Sequence, residues 1–455
     1  MLIRLILENI FSFGEQKEFN MMPNTRFKTL QKHKYKVNEF EVLKMSAIYG
    51  ANGAGKSNLI NGLQLLQRLV INDDIPYRFR NSHFKFQQDA EQSKQTIGVE
   101  FIQDEQAFYY SLEMQKGIII SEELYESGLG FKEDKLVFER RTDVNKLTSV
   151  TFLSEFEKDE KSQILKSVLL QDFIKPTEPI LKLLSNRENP YLSSAKKAFQ
   201  WFNETLVIIT PDSKPSALAH RIDIDTDFKD YAEEIMQSFH IGITNLQTNK
   251  KKIDDFFGKD NEDKIDDLVR KVATSPQKMI GLRTKKGDEL IVVKEKDEII
   301  VKQLQLKHLG ANNISVNFDL EEESDGTIRL LDLVPAFKDM IAKSKVFVID
   351  EIERSIHPLL IKELVRKFSL DDNTKGQLIF TTHESNLLDQ DIFRQDEIWF
   401  VEKNKIGATD IYSLSDFKEH KTIDIQKGYL NGRYGSIPFL ANLQDLNWHK
   451  YDIKK

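Results

Sequence analysis

The sequence contains no cysteine among its 455 residues. Disulfide bonds and thiolate metal sites are therefore excluded, and a reducing compartment fits the composition. The sequence also lacks any uncharged run that approaches the roughly 20 residues of a membrane-spanning helix, so we expect no membrane contact. Positive charge is not in excess either, since the formal net charge is −7. This balance argues against a uniformly basic coat for nucleic acid, although a local basic groove stays open.

A secretion signal is missing as well. The apolar run 1–7 is interrupted by Arg4 and followed by Glu8, which is typical of a strand and not of a signal peptide. We therefore expect a soluble, cytoplasmic protein. The length of the chain exceeds one ordinary core and predicts two domains, or one large domain with a substantial insertion.

The most informative segment is the glycine-rich run Gly50-Ala51-Asn52-Gly53-Ala54-Gly55-Lys56-Ser57, which stands between an apolar run and an amphipathic one. A G-x-x-x-x-G-K-[ST] loop between a strand and a helix turns its backbone N–H groups toward one point, where phosphates bind. We predict that Lys56 reaches the β- and γ-phosphates of ATP and that the Ser57 hydroxyl is a ligand of Mg²⁺. A chance glycine turn is the alternative, and the strand and helix on either side argue against it. The predicted nucleotide contacts in this loop are Asn52, Gly53, Ala54, Gly55, Lys56, Ser57 and Asn58.

A second apolar run, 345–349, ends in the carboxylates Asp350 and Glu351. We predict that Asp350 holds Mg²⁺ through water and that Glu351 polarises the attacking water as a general base. The alternative is a solvated helix start. Many P-loop enzymes have the aspartate, but the glutamate directly after it favours a hydrolysing ATPase and disfavours a small-molecule kinase.

A third buried run, 377–382, is followed by His383. Ligands bind at the strand ends of open parallel sheets. We therefore predict that His383 contacts the γ-phosphate and fixes the water held by Glu351. A purely structural histidine is the alternative.

The remaining pattern divides the chain into three parts. After the P-loop helix, β-branched and aromatic runs at 96–102, 107–115, 117–125, 135–141 and 147–152 predict an antiparallel meander. From Ser154 to about Ile253 the period is helical, and strand patterning resumes at Glu289. We predict an α/β fold whose ATPase head, with a mixed sheet and an antiparallel β subdomain, comprises residues 1–153 and 289–455. Residues 154–288 are predicted to be a mainly helical insertion, and the first strand, 2–9, is expected in the sheet of the P-loop strand.

These motifs resemble those of the ABC-type ATPases of the chromosome-maintenance, RecF and overcoming-lysogenization class, over roughly residues 1–125 and 300–440. In that class the nucleotide lies between two heads, and each head offers a signature segment to the P-loop of its partner. Glu323-Ser324-Asp325-Gly326-Thr327 is similar to this signature. The resemblance implies that Ser324 and the Gly326 backbone face the γ-phosphate of the partner. The run Ile352-Glu353-Arg354-Ser355-Ile356-His357-Pro358 resembles the D-loop of the RecF-like branch, and Glu8-Asn9-Ile10-Phe11-Ser12-Phe13 is similar to its N-terminal motif, with Phe11 in the place of an arginine.

Four runs together resemble the stand-alone ATPases of bacterial anti-phage and abortive-infection operons, such as the RloA/AbiL type and the ATPase of the PARIS system. The resemblance implies a Mg²⁺-dependent ATPase that acts as a homodimer or higher homo-oligomer, responds to a phage-encoded trigger and controls a separately encoded effector, expected to be a nuclease. The alternative is a DNA-repair ATPase clamp whose paired heads bind DNA directly. The four runs are 49–58, 323–327, 396–403 and Gly432-Arg433-Tyr434-Gly435-Ser436-Ile437-Pro438.

Overall fold

The computed structural model describes residues 1–72, 82–239, 241–284, 289–417 and 423–437. In chain order, its strands are β1 (Leu2–Glu8), β2 (Lys17–Asn20), β3 (Lys34–Val37), β4 (Phe40–Leu43), β5 (Met45–Tyr49), β6 (Gln95–Gln103), β7 (Gln106–Gln115), β8 (Ile118–Glu126), β9 (Lys135–Thr142), β10 (Thr148–Phe152), β11 (Leu206–Ile209), β12 (Ile243–Lys252), β13 (Met279–Arg283), β14 (Glu289–Glu295), β15 (Glu298–Leu309), β16 (Ser315–Asp319), β17 (Val346–Ile349), β18 (Gln377–Thr382), β19 (Ile398–Lys403) and β20 (Thr409–Ser413). The α-helices are α1 (Lys56–Ile71), α2 (Ser154–Lys158), α3 (Glu160–Val168), α4 (Leu181–Ser185), α5 (Ser193–Gln200), α6 (Leu218–Ile224), α7 (Thr226–Ser238), α8 (Ile253–Phe257), α9 (Glu262–Thr274), α10 (Asp325–Ala342), α11 (Pro358–Leu370) and α12 (Ile425–Leu430).

The central sheet has the strand order β11-β17-β18-β5-β19-β20. Its strands are parallel except β20, which is antiparallel to β19. Every residue of β5, β17 and β18 is buried, as expected for parallel strands that are covered on both faces. The carboxyl ends of these three strands therefore meet at one edge of the sheet, and each of the three sequence motifs begins there. The predicted α/β class with a mixed sheet is confirmed.

The predicted meander is part of a seven-stranded antiparallel sheet with the order β10-β9-β8-β7-β6-β1-β2. Strands β6 to β10 match the predicted runs to within one residue at each end. The expectation for the first strand is wrong: β1 pairs with β2 and β6 and not with the P-loop strand. Its link to the central sheet is a side chain, because the Gln377 amide accepts from Leu2 N (2.7 Å) and donates to Leu2 O (3.0 Å).

The segment predicted as a mainly helical insertion contains α2 to α9 but also three strands. The short β11 is the edge strand of the central sheet, parallel to β17, with Ile209 opposite Ile349. Farther along, β12 and β13 belong to a third sheet, β12-β15-β14-β13, in which β16 also pairs with β15. The helical pattern of this region therefore did not indicate the strands β11, β12 and β13. The run Leu206-Val207-Ile208-Ile209 is too short and too rich in β-branched residues for a helix.

The central sheet separates two large hydrophobic cores. Val346 and Val348 of β17 belong to the core shared with α1, α4, α5 and the seven-stranded sheet, whereas Phe347 and Ile349 belong to the core shared with α7, α10 and α11. This alternation follows from the two-residue period of a strand. A smaller third core lies between α9 and the sheet of β14 and β15. Among the described residues, no helix has both the length and the apolar character that crossing a membrane requires.

Candidate active site at the carboxyl edge of the central sheet

The glycine loop turns from the end of β5 into α1. Gly53 and Gly55 have φ angles of +79° and +118°, which favour glycine. A Cβ atom on Gly55 would lie 2.2 Å from Thr409 Oγ1, so a side chain at this position also lacks room. A Cβ on Gly53 would meet no atom within 4 Å, so that side of the loop is open. Glycine is therefore required at Gly55 by packing and at Gly53 by backbone conformation.

Lys56 is buried, and its ammonium group lies inside the loop. Nζ donates to Gly50 O (2.7 Å) and Ala51 O (3.2 Å), and it lies 2.9 Å from His383 Nδ1. Because an ammonium group can only donate, Nδ1 accepts this hydrogen bond and the imidazole proton is on Nε2. Burial lowers the pKa of Lys56, and the nearby carboxylates, led by Glu353, oppose that shift.

The two acids after β17 are held by a residue that the sequence analysis did not identify. Thr381 Oγ1 donates to Asp350 Oδ1 at 2.6 Å and accepts from Glu351 N–H at 2.8 Å. Glu351 has a φ of +50°, which is uncommon outside glycine and costs about 1–3 kcal/mol. The Thr381 hydroxyl stabilises this turn and orients both acids. No pattern in the sequence singles out Thr381, because it is one of two threonines in a buried strand.

His383 lies between the P-loop lysine and the predicted base. Its Nε2 is 3.7 Å from Glu351 Oε1, while its Nδ1 contacts Lys56. Its backbone N–H donates to Glu353 Oε1 at 2.7 Å. The structure therefore brings together the three predicted catalytic residues, Lys56, Glu351 and His383.

The other predicted loop contacts differ in their surroundings. Asn52 is exposed, Ala54 is buried and Ser57 is half-buried in the first turn of α1. Asn58 points beneath the loop, where its Nδ2 donates to Ser12 Oγ at 2.9 Å. Thr409 Oγ1 lies 2.8 Å from both Ser12 Oγ and Ala54 O. The P-loop and the start of α1 are thus bonded to Ser12, from the N-terminal motif, and to Thr409. The sequence analysis did not identify Thr409.

The oxygen atoms of Asp350 and Ser57 are suitable ligands for a magnesium ion that is bound together with a nucleotide. Within the described residues, no group of three or more histidine or acidic side chains is arranged to hold a metal by itself. Asp350 is buried at the end of β17, and Ser57 is half-buried in the first turn of α1. Mg²⁺ commonly binds through one or two protein oxygens together with phosphate oxygens and water, so Ser57 and Asp350 are of the kind and number that would hold it.

The signature-like segment is docked on the turn that follows Glu351. Ser324 is the N-cap of α10, and its Oγ accepts from Thr327 N–H at 3.1 Å. A Cβ on Gly326 would lie 2.6 Å from Ser355 O. Among the described residues, the side-chain hydrogen bonds of Ser324 are with Thr327, and none joins it to residues 50–58. Within the described residues, the hydrogen bonds of the Ser324 side chain therefore stay inside the first turn of α10.

Residues 45–389 match the family model described as an AAA domain, putative AbiEii toxin, Type IV TA system. The chain belongs to this family. The matched region includes the P-loop, both acids and His383, and it supports the broad prediction of an ATP-binding P-loop ATPase. The family match does not distinguish the RloA/AbiL or PARIS subtype within this class.

Three of the solved structures that match the chain each have 12% sequence identity to it. One is an SMC head bound to the C-winged helix domain of ScpA, with a TM-score of 0.40; the match covers 90% of this chain and 97% of the SMC head chain. An SMC head domain from Thermotoga maritima has a TM-score of 0.36, with 90% and 98% coverage. The Smc head with an extended coiled coil bound to the C-terminal domain of ScpA, derived from Pyrococcus furiosus, has a TM-score of 0.40, with 95% and 98% coverage. No curated protein is similar enough to the chain to count as a match.

Proposed function

We propose that this AAA domain hydrolyses ATP to ADP and phosphate in the presence of Mg²⁺. The observation that supports the proposal most is the convergence of Lys56, Glu351 and His383 on one edge of the sheet, with contacts of 2.9 and 3.7 Å between them. Lys56 would neutralise phosphate charge, and Glu351 would accept a proton from the attacking water. His383, with its proton on Nε2, would orient Glu351 or donate to the γ-phosphate. Mg²⁺, when bound through Ser57 and Asp350, would offset the charge on the phosphates.

The proposed site is completed by a second copy of the chain. Ser324 and Gly326 lie at the N-terminus of α10, an 18-residue helix, and the backbone N–H groups of a helix N-terminus bind anions. Because Ser324 has no hydrogen bond to the P-loop of its own chain, we assign it to the γ-phosphate of a partner. ATP would then bring two heads together, and hydrolysis would separate them. The assembly would be a homodimer or a higher homo-oligomer.

The proposed biological role is an ATP-driven sensor or scaffold in bacterial anti-phage defence. The family description names a putative toxin of a Type IV TA system, which supports a role in a system of more than one component. In this proposal a phage-encoded trigger changes the state of the heads, and the heads hold or release a separately encoded effector, a nuclease by our expectation. The protein would act in the cytoplasm.

The test of hydrolysis is the Glu351→Gln variant. An amide keeps the shape of the side chain but cannot accept the proton, so we expect kcat to fall at least about a hundredfold. ATP binding should survive, and closed dimers should accumulate with ATP in light-scattering measurements. Lys56→Ala should instead weaken ATP binding in calorimetry, because the point charge on the phosphates is lost.

Glu363→Gln is the matched control, since its exposed carboxylate lies on α11 and faces Arg366. It should hydrolyse ATP at the wild-type rate. A Glu351→Gln variant that does the same would remove Glu351 from the role of base, and an unchanged affinity in Lys56→Ala would remove the glycine loop as the site.

The effector role is tested by expressing the chain together with its operon neighbours. We expect a neighbouring nuclease to co-purify with the chain and to be released when ATP is hydrolysed, while Glu351→Gln keeps it bound. Strong stimulation of hydrolysis by DNA alone, without a partner protein, would instead support a DNA clamp.

A further inference from the structure

The turn after Glu351 contains a second acid, Glu353, that the proposed chemistry does not use. Its Oε1 accepts from the backbone N–H of His383 at 2.7 Å. Its Oε2 is buried and has no hydrogen-bond partner among the residues that the structure describes. A buried carboxylate oxygen without a hydrogen-bond partner lowers stability, so the burial of Glu353 calls for a physical reason.

The position of this contact matters because sheet pairing ends just before it. Thr382 of β18 is still paired with Tyr49 of β5, and on the other side the pairing with β17 ends at Phe380 and Ile349. His383 therefore lies beyond the ladder, where its N–H has no neighbouring strand to bond to. Glu353 supplies the missing acceptor.

The charge of Glu353 also acts on the P-loop lysine. Among the carboxylates that raise the pKa of Lys56 against the effect of burial, Glu353 has the largest influence, ahead of Asp350 and Glu351. The carboxylate of Glu353 thus lies near Lys56 as well as bonding the backbone of His383.

We infer that Glu353 is a positioning residue for hydrolysis, which holds the His383 backbone so that the imidazole lies between Lys56 and Glu351. The inference rests on the proposed ATPase activity. The same turn continues to Ser355, whose carbonyl oxygen would be 2.6 Å from a Cβ on Gly326. Glu353 therefore ties His383 to the turn on which the candidate signature is docked.

The test compares three substitutions of Glu353. Glu353→Ala removes the acceptor, and we expect kcat to fall about a hundredfold through misplacement of His383, while the Kd of a non-hydrolysable ATP analogue changes little. Glu353→Gln keeps a carbonyl oxygen at the same reach, so it should recover most of the lost rate. Glu353→Asp keeps the charge but is one carbon shorter, so it should be slower than Glu353→Gln.

A double-mutant cycle with His383→Ala separates positioning from general destabilisation. If Glu353 acts through His383, Glu353→Ala should add little to the loss already caused by His383→Ala. Glu363→Ala is the matched control and should hydrolyse ATP like the wild type. Circular dichroism verifies folding. If the alanine variant does not fold, the comparison of kcat between Glu353→Gln and Glu353→Asp still tests the inference.

Three outcomes would overturn the inference: a wild-type kcat in Glu353→Ala, additive losses in the cycle, or a faster Glu353→Asp than Glu353→Gln. The last would mean that charge and not the hydrogen bond is what matters. If the wild-type chain itself does not hydrolyse ATP, the proposed function fails instead. The hydrolysis rate of the wild type alone shows this.

Discussion

Single side chains at this site act mostly by holding other groups in place. Thr381 is the clearest case, since one hydroxyl bonds both Asp350 and the backbone of Glu351. The left-handed backbone of Glu351 persists because that bond is made. The two adjacent acids, proposed to act in hydrolysis, therefore depend on a neutral residue from the neighbouring strand.

The Thr381→Val variant tests this dependence. Valine keeps the shape but leaves the Glu351 N–H without its partner, so we expect a loss of about 1–3 kcal/mol in the free energy of unfolding. Asp350 would also be less well oriented, and half-maximal ATP hydrolysis should require more Mg²⁺. The measurement is a magnesium titration of hydrolysis beside a denaturation curve.

Thr382→Val is the neighbouring control, because Thr382 Oγ1 accepts from Glu384 N–H and, within the described part of the chain, has no hydrogen bond to either acid. It should lose similar stability with no shift in the magnesium requirement. An equal shift in both variants would mean that Thr381 has no special relation to Asp350.

At the scale of elements, the last described segment is part of the core and not a tail. Tyr429 of α12 and Tyr434 both stack on Phe400 of β19, at 5.7 and 5.5 Å. Ser436 N–H donates to Glu402 Oε2 at 3.1 Å. The Gly-Arg-Tyr-Gly run thus closes one face of the central sheet beside the P-loop strand, and its Pro438 lies outside the described residues.

Gly435→Ala tests how tightly this segment is fitted. Gly435 has a φ of +66°, and a Cβ there would lie 2.4 Å from Glu402 Oε2. We expect the free energy of unfolding to fall by about 2–4 kcal/mol, from backbone strain plus overpacking. A shift of the urea midpoint measures this loss.

Gly117→Ala is the matched control, since Gly117 has a φ of +75° with no atom within 4 Å of an added Cβ. It should lose only about 1–2 kcal/mol, from strain alone. Equal losses in the two variants would show that the segment tolerates a side chain at Gly435.

At the scale of the whole molecule, one chain carries one P-loop and one candidate signature, and its described hydrogen bonds do not join them. The signature segment packs against its own chain instead. A Cβ on Gly326 would lie 2.6 Å from Ser355 O, and Glu323 Oε1 lies 2.6 Å from His308 Nε2. The proposed completion of each site by a second copy is compatible with these contacts. This arrangement makes a prediction about mixtures.

Ser324→Arg alone should bind ATP but not hydrolyse it, because the bulky side chain lies where the partner's γ-phosphate would fit. In a cross-linked heterodimer of Ser324→Arg and Lys56→Ala chains, one composite site carries both lesions and the other carries none. We expect hydrolysis to return partly, to at most the rate of one site, as measured by phosphate release. Sites completed within each chain would give no recovery, and full activity of Ser324→Arg alone would refute the signature assignment.

Local patterns predicted the P-loop and the strands of the antiparallel meander. The P-loop could be read from eight consecutive residues, and strands β6 to β10 from alternation and turn residues, because these signals lie within a few positions of one another. The acids at 350 and 351 and the histidine at 383 were each recognisable from the buried run that precedes them. Within the segment 154–288, predicted as mainly helical, the strand β11 was not recognisable, since four β-branched or apolar residues carry no signal of the sheet that they join.

The sequence by itself determined that this chain has a P-loop and strands that end in acids and a histidine, because the chemistry of each motif is local. Only the tertiary structure decided which strands are neighbours, and therefore that Thr381 would orient Asp350, Glu353 would hold His383, and Thr409 would support the loop at Gly55. These partners are separated by about 30 residues or by hundreds along the chain. No sequence period links them, since each contact depends on the order of parallel strands, and that order is set by how the two cores pack against the sheet.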